Sequence, residues 1–352
     1  MTAALRRFAT ARDALVYGGA VVAAALVGVL LVLGGGASVG TAAGALWNGM
    51  AGTPYAFGSG LNAAAVLGLI AAGFTVAYRA GLVNVGGEGQ LAVGGIAATA
   101  AGVHLPEGLP GMIGVPLVLA AGFAAGACWA GIAGWLKTSR GTSEVITTLL
   151  LNFVGLGLLS LVVHEEGLLR QPVTSADTLP QSAPLAEAAR LPLLGSAESP
   201  ATVAVAVAAA AIVIVGVVLR RTATGTRLRA VGLSVPAANR LGLRVGRLQV
   251  GALATAGGLA GTAGAALVAT VPFVLAEGFT AGYGFAGLVV GLLARGSVTA
   301  VAGIAFAFGL LASGGINLQL EAGVPASSVQ VVQSVLIIFI AGAVVLRKER
   351  GR

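Results

Sequence analysis

The chain is 352 residues long, 57% of them hydrophobic and only 9% charged, where a soluble globular protein carries about 25% charged residues. So few charges exclude a soluble domain, whose surface they would not cover. The formal net charge of +8 does not point to nucleic acid either, because the basic residues sit in gaps between apolar runs without an aromatic platform among them.

Uncharged apolar runs fall near residues 14–34, 61–78, 89–103, 111–136, 145–163, 200–219, 248–276, 278–294, 296–320 and 322–346. A run of about 20 such residues is the length a helix needs to cross a bilayer. The expected fold is therefore an all-α polytopic membrane protein of about ten transmembrane helices, one domain over 1–352. The first run imitates a signal peptide behind Arg6, Arg7 and Arg12. It is too long for a typical cleaved segment and is read as a retained first helix. The runs at 89–103 and 278–294 are short and glycine-rich, so each is a candidate broken or re-entrant segment. With 56 glycines in the chain, close helix packing through small residues is expected throughout.

Orientation follows from the placement of Lys and Arg, which are retained on the cytoplasmic side of short loops. Arg6, Arg7 and Arg12, then Lys137 and Arg140, then seven arginines from Arg220 to Arg247, then Arg347, Lys348, Arg350 and Arg352 all fall on one side of a ten-helix arrangement. Both termini are expected inside. The opposite side receives the 165–199 loop, with Glu165, Glu166, Asp177, Glu187 and Glu198. A faint duplication is visible: the long runs at 61–78 and 248–276 each precede a short segment opening with Glu88-Gly89 or Glu277-Gly278. Paired short segments in two halves of a transporter point to its substrate path.

"GLVNVGGEGQLAVGG", residues 81–95, holds Asn84, Glu88 and Gln90 among glycines. Gly87, Gly89 and Ala92 fit a dinucleotide fingerprint, with Glu107 downstream, but that motif needs a short strand before it and here a span-length run stands there. Two readings remain for the stretch: a pathway or hinge element lining a cavity, or a polar turn beside Arg79 with Glu88 capping the next helix. "TSEVITTLLLNFVG", residues 142–155, places Asn152 within a span, either to bond a neighbouring helix or to face a solute. Thr142, Ser143 and Glu144 make a reasonable cap for that helix.

Residues 220–247 form the longest basic loop. Within it "PAANRLGL", Pro236 to Leu243, predicts a short helix that begins at Pro236 and ends near Gly242. Such a helix suits docking to a soluble partner, and the alternative is a basic loop held at anionic lipid. No nucleophile, base or metal set emerges, since His104 and His164 stand apart without a Cys or carboxylate pattern. No cofactor is expected.

Four stretches taken together, "RAGLVNVGGEGQLAVGG", "TSEVITTLLLNFVG", "GTRLRAVGLSVPAANRLGL" running into "AGGLAGTAGA", and "GYGFAGLVVGLLARGS", resemble the permease subunits of bacterial ABC importers for simple sugars and nucleosides, in the branch of nucleoside uptake permeases. The resemblance covers about residues 60–346. It implies a non-enzymatic permease in the bacterial cytoplasmic membrane, paired with a second permease, cytoplasmic ATPases and an extracellular solute-binding lipoprotein. It further implies that Pro236, Ala237, Ala238, Asn239, Arg240 and Gly242 form a helix coupled to the ATPase, and that Asn84, Glu88, Gln90, Asn152 and Phe285 belong to the translocation path. Nucleosides lead as solute, simple sugars follow, and branched-chain amino acids come third. A competing reading is a secondary transporter driven by an ion gradient, with Glu88 and Glu277 as its candidate ionisable groups.

Overall fold

The computed structural model describes residues 19, 22–173, 178–195 and 198–335. The basic residues before position 19 and after position 346, and Asp177, lie outside that set. The described residues are helical, with isolated bridges but no β-strand. In chain order the helices are α1 (Val22–Gly34), α2 (Val39–Trp47), α3 (Pro54–Arg79), α4 (Gly87–Gly102), α5 (Gly111–Arg140), α6 (Glu144–His164), α7 (Ala204–Arg221), α8 (Ala223–Leu233), α9 (Val235–Arg240), α10 (Val245–Val268), α11 (Tyr283–Ala294) and α12 (Val298–Ala322). A π-helical turn, Asn48–Gly52, follows α2.

Local chemistry sets these boundaries. Helix α5 starts behind Pro110 and closes at Gly141 in the left-handed conformation, φ 70°, with Lys137 and Arg140 in its last turn to complement the helix dipole. Ser234 caps α9, accepting from the amide of Ala237 at 3.3 Å, with Pro236 in the first turn as expected. Ser143 precedes α6 without a side-chain cap bond. Glu144 is instead held by an ion pair with Lys137 across the α5–α6 turn.

Among the described residues six helices are long and apolar enough to cross a membrane: α3, α5, α6, α7, α10 and α12. A seventh crossing arises if α1 and α2, bent by 113° at the glycine break between them, count as one span. That is fewer than the ten runs in the sequence. Two of the remaining runs are α4 and α11, which have 16 and 12 residues, and the last, 322–346, lies outside the described residues from position 336 on. At 1.5 Å per residue α4 and α11 are about 24 and 18 Å long, each short of the roughly 30 Å hydrocarbon thickness. Helix α10 also ends at Val268, before the run at 248–276 does.

The chain divides into two compact units. In the unit comprising residues 1–63 and 307–352, α2 and the end of α12 pack through Ala42, Ala45 and Leu318, joined by Val324 and Val329. Asn317 donates to the carbonyl of Ala45 at 3.2 Å, and Ser313 donates to that of Ala56 at 2.8 Å.

The unit of residues 64–306 centres on α3 and α10, whose apolar windows are 83% and 72% buried, against 28% or less for α5, α6 and α7. The outer helices present Leu117, Phe123, Leu150, Phe153 and Ile214, a surface suited to hydrocarbon. The centre is built on backbone approach. A Cβ on Gly261 would collide with the carbonyl of Gly122, and one on Gly94 with the backbone of Gly261. The "AGGLAGTAGA" stretch of α10 is thus the surface on which α4 and α5 cross. Without a hydrophobic driving force between helices in lipid, such close packing is what holds them together.

Candidate functional site

Helices α4 and α11 begin at the same place and run to opposite ends. Gly87 would place a Cβ 2.9 Å from the carbonyl of Gly284, so their first turns touch backbone to backbone. From there α11 follows the second half of α3, with Gly287 against Ile70, Gly291 against Phe74 and Gly296 against Tyr78. Its far end is fixed where Arg79 donates to the carbonyl of Gly296 at 2.9 Å. Helix α4 runs the other way, and Gly102 in its last turn packs on Leu185 and Ala189 of the long loop. The meeting point faces Asn152 and Gly155, the centre of α6, so it lies at the middle of the spans.

Irregular backbone leads to this point. Residues 82–85 have no regular structure, and at mid-span their polar groups need partners that lipid does not supply. Helix α6 supplies them. The amide of Val85 donates to Thr148 Oγ1 at 3.2 Å, while Asn152 Nδ2 donates to the carbonyl of Val85 at 2.9 Å. Asn152 Oδ1 accepts from the amide of Gly89 at 2.8 Å. Asn84 and Gln90 exchange two amide hydrogen bonds of 2.9 Å each, and Asn84 Oδ1 also accepts from the amide of Gly86 at 3.0 Å.

Glu88 completes the knot. Its Oε2 accepts from the amide of Gly284 at 2.8 Å and its Oε1 from the amide of Gly282 at 3.2 Å. The carboxylate lies in the first turn of α4 and on the first amides of α11, where both helix dipoles favour a negative charge. Neither helix has a side-chain cap of its own: Gly86 and Gly282 stand at the cap positions. Glu88 therefore caps α11, a partner far along the chain, and makes no side-chain cap bond to α4, in whose first turn it sits. The cause is tertiary: the glycines at 87 and 284 let the two helix starts approach closely enough.

Asn84, Glu88, Gln90 and Asn152 are all buried, each at 6% exposure or less, and bonded to one another or to this backbone. Phe285 is not part of the knot; it stands 43% exposed on α11. Thr148 and the amides of Gly282 and Gly284 were missed in the sequence. Thr148 sits one helical turn before Asn152, and that i, i+4 pair of polar residues in an apolar span was the available signal.

The residues expected from the sequence to dock a partner lie apart, at the end of the spans that carries Arg79, Lys137 and Arg140. Pro236, Ala237, Asn239, Arg240 and Gly242 are exposed on and after α9. Ala238 is fully buried against Val231 and Val245 and fixes α9 to the end of α8. Leu233 and Leu241, exposed at 78% and 74%, flank the short helix. Two leucines in a basic loop outside the spans are the sequence signal for this exposed apolar pair.

A family model described as "Branched-chain amino acid transport system / permease component" matches residues 56–341. The guanosine ABC transporter permease protein NupP of Bacillus subtilis is 31% identical over 92% of this chain and 92% of its own. The glucose ABC transporter permease protein TsgB13 of Haloferax volcanii is 32% identical over 80% of this chain and 75% of its own. The nucleoside ABC transporter permease protein NupB of Lactococcus lactis is 28% identical over 82% and 80%. No solved structure matches the chain.

Proposed function

The chain belongs to the family of branched-chain amino acid transport system permease components, a multi-pass membrane transport subunit and not an enzyme, and on that premise we propose that it forms the translocation path for nucleosides in an ATP-driven importer. The observation that carries this reading is the meeting of two half-length helices at mid-span on Glu88. Discontinuous helices at the bilayer centre are where transporters place their paths and hinges. The nucleoside assignment rests on the similarity to the guanosine and nucleoside permeases. A neutral sugar is the second reading, favoured by the similarity to the glucose permease.

The knot of Asn84, Glu88, Gln90, Asn152 and Thr148 is the hinge of that path, and Phe285 lies beside it on the exposed side of α11. The chain crosses the bacterial cytoplasmic membrane ten times with both termini inside. The irregular residues before α4 and the turns before α11 each complete a crossing that the half-helix begins, and the bent α1–α2 pair and the sequence run at 322–346 are the remaining two. Residues 220–247 face the cytoplasm, and α9 docks a partner ATPase through Pro236, Ala237, Asn239, Arg240, Leu233 and Leu241. A second permease and an extracellular solute-binding lipoprotein complete the assembly. ATP-driven closure of the ATPases rocks the permeases between inward- and outward-facing states, with the lipoprotein setting most of the selectivity.

Reconstitution with the partner ATPase and binding lipoprotein tests this reading. Guanosine uptake into proteoliposomes should require ATP and fall on changing Asn239 to Ala and Arg240 to Glu. Uptake that follows an ion gradient without the ATPase would overturn it, and glucose uptake in place of guanosine would select the second reading.

A further inference from the structure

The last residues of α8 lie directly on the turn that opens the mid-span knot. A Cβ on Gly232 would collide with the carbonyl of Arg79 and lie 3.0 Å from the amide nitrogen of Gly81. Reciprocally, a Cβ on Gly81 would lie 3.1 Å from the Cα of Gly232. Two main chains at this distance leave no room for slip, because no flexible side chain lies between them. Gly81 holds φ +76°, which places the turn in a conformation that favours glycine.

Both sides of the contact continue into rigid structure. On one side, α8 is fixed to α9 by the packing of Ala238 against Val231 and by Ser234, which caps α9. On the other, Leu82 is 1% exposed, and the chain from Asn84 to Gln90 is bonded to α6 through Thr148 and Asn152 and to α11 through Glu88. Arg79, at the same turn, also holds the far end of α11 through Gly296. Displacing the end of α8 therefore pushes on the chain that enters the knot and on both ends of α11.

We propose that Gly232 is a positioning residue for energy coupling: its backbone contact with Arg79 and Gly81 carries the movement of α9 to the Glu88 knot. This rests on the docking role proposed above for α9. It adds a specific route, and it separates residues that bind the ATPase from one that conveys its motion.

Gly225 provides the internal control. A Cβ there would collide with the carbonyl of Val218 and come within 2.6 Å of that of Leu219, so Gly225→Ala disturbs α8 against α7 without touching α3. In proteoliposomes holding the full assembly, Gly232→Ala should raise the number of ATP molecules hydrolysed per solute imported by roughly 2- to 30-fold, the span of effects seen when a coupling contact is perturbed. Gly225→Ala should lower the amount of assembled transporter and leave that ratio unchanged. An unchanged ratio in Gly232→Ala, or the same rise in both variants, overturns the proposal.

Hydrogen exchange on the unaltered assembly gives a second test that does not depend on a variant folding. Trapping the ATPases in their closed state should change amide protection at residues 81–90 together with that at 229–241. A change confined to 229–241 overturns the proposal. Absence of any ATP-driven uptake by the unaltered assembly would instead reject the function proposed above, so the two failures are distinguishable.

Discussion

Glu88 and Gly284 are 196 positions apart in the chain and 2.8 Å apart in the fold, joined by a hydrogen bond from the glycine amide to the carboxylate. That bond joins the first turns of two helices that leave the middle of the spans in opposite directions. A carboxylate is expensive at this depth unless it is paired, and here the partners are main-chain amides and two helix dipoles.

Replacing Glu88 with Gln removes one of its two acceptor oxygens and faces an amide donor toward a glycine N–H. The glycine N–H and the new amide group then both lack an acceptor, at a cost of about 1–3 kcal/mol each. The variant should unfold at a lower temperature in detergent and lose uptake. An unchanged melting curve together with normal uptake would show that the carboxylate is dispensable.

Asn152 offers a sharper chemical test, because its two side-chain atoms do different work. Asn152→Asp keeps the acceptor for the amide of Gly89 but turns an oxygen toward the carbonyl of Val85, so it should cost about 1–3 kcal/mol. Asn152→Leu should be destabilised too, leaving both backbone groups unmet. If Asp is tolerated at this position in thermal unfolding and uptake alike, the Val85 bond has no energetic weight.

At the proposed docking helix α9, Leu233→Asp and Leu241→Asp should leave the permease folded, since both side chains are exposed. Buried anchors at the centre of an interface carry about 2 kcal/mol or more each, so binding of the partner ATPase should weaken by roughly 30-fold. Co-purification and a titration of ATPase binding read the effect. Equal binding by both variants would remove these leucines from the interface.

Gly261 tests the packing of the core. Gly261→Ala puts a methyl group against the carbonyl of Gly122, and overpacking of this kind costs typically about 1–3 kcal/mol. Gly251→Ala, on the same helix with open space around it, should be neutral. A thermal unfolding series in which both behave alike would contradict the backbone-contact account of α10.

The sequence by itself determined the solvent, the element type and the punctuation. Uncharged runs of span length leave only helices as a way to satisfy the backbone in lipid, so α3, α5, α6, α7, α10 and α12 were legible from composition alone. Pro236 and Gly242 marked α9 and its end, because turns depend on neighbours a few residues away, while the Ser234 cap emerged only in the fold. The two short runs also stood out by length and glycine content. What the tertiary structure decided is the partnership of the polar residues. Asn84 looked free to line a cavity and Glu88 to cap its own helix, yet Gln90 takes the first and Gly282 and Gly284 take the second. No local pattern carries the Glu88 partnership, because a hydrogen bond between residues nearly two hundred positions apart exists only once the glycines have let the helices approach.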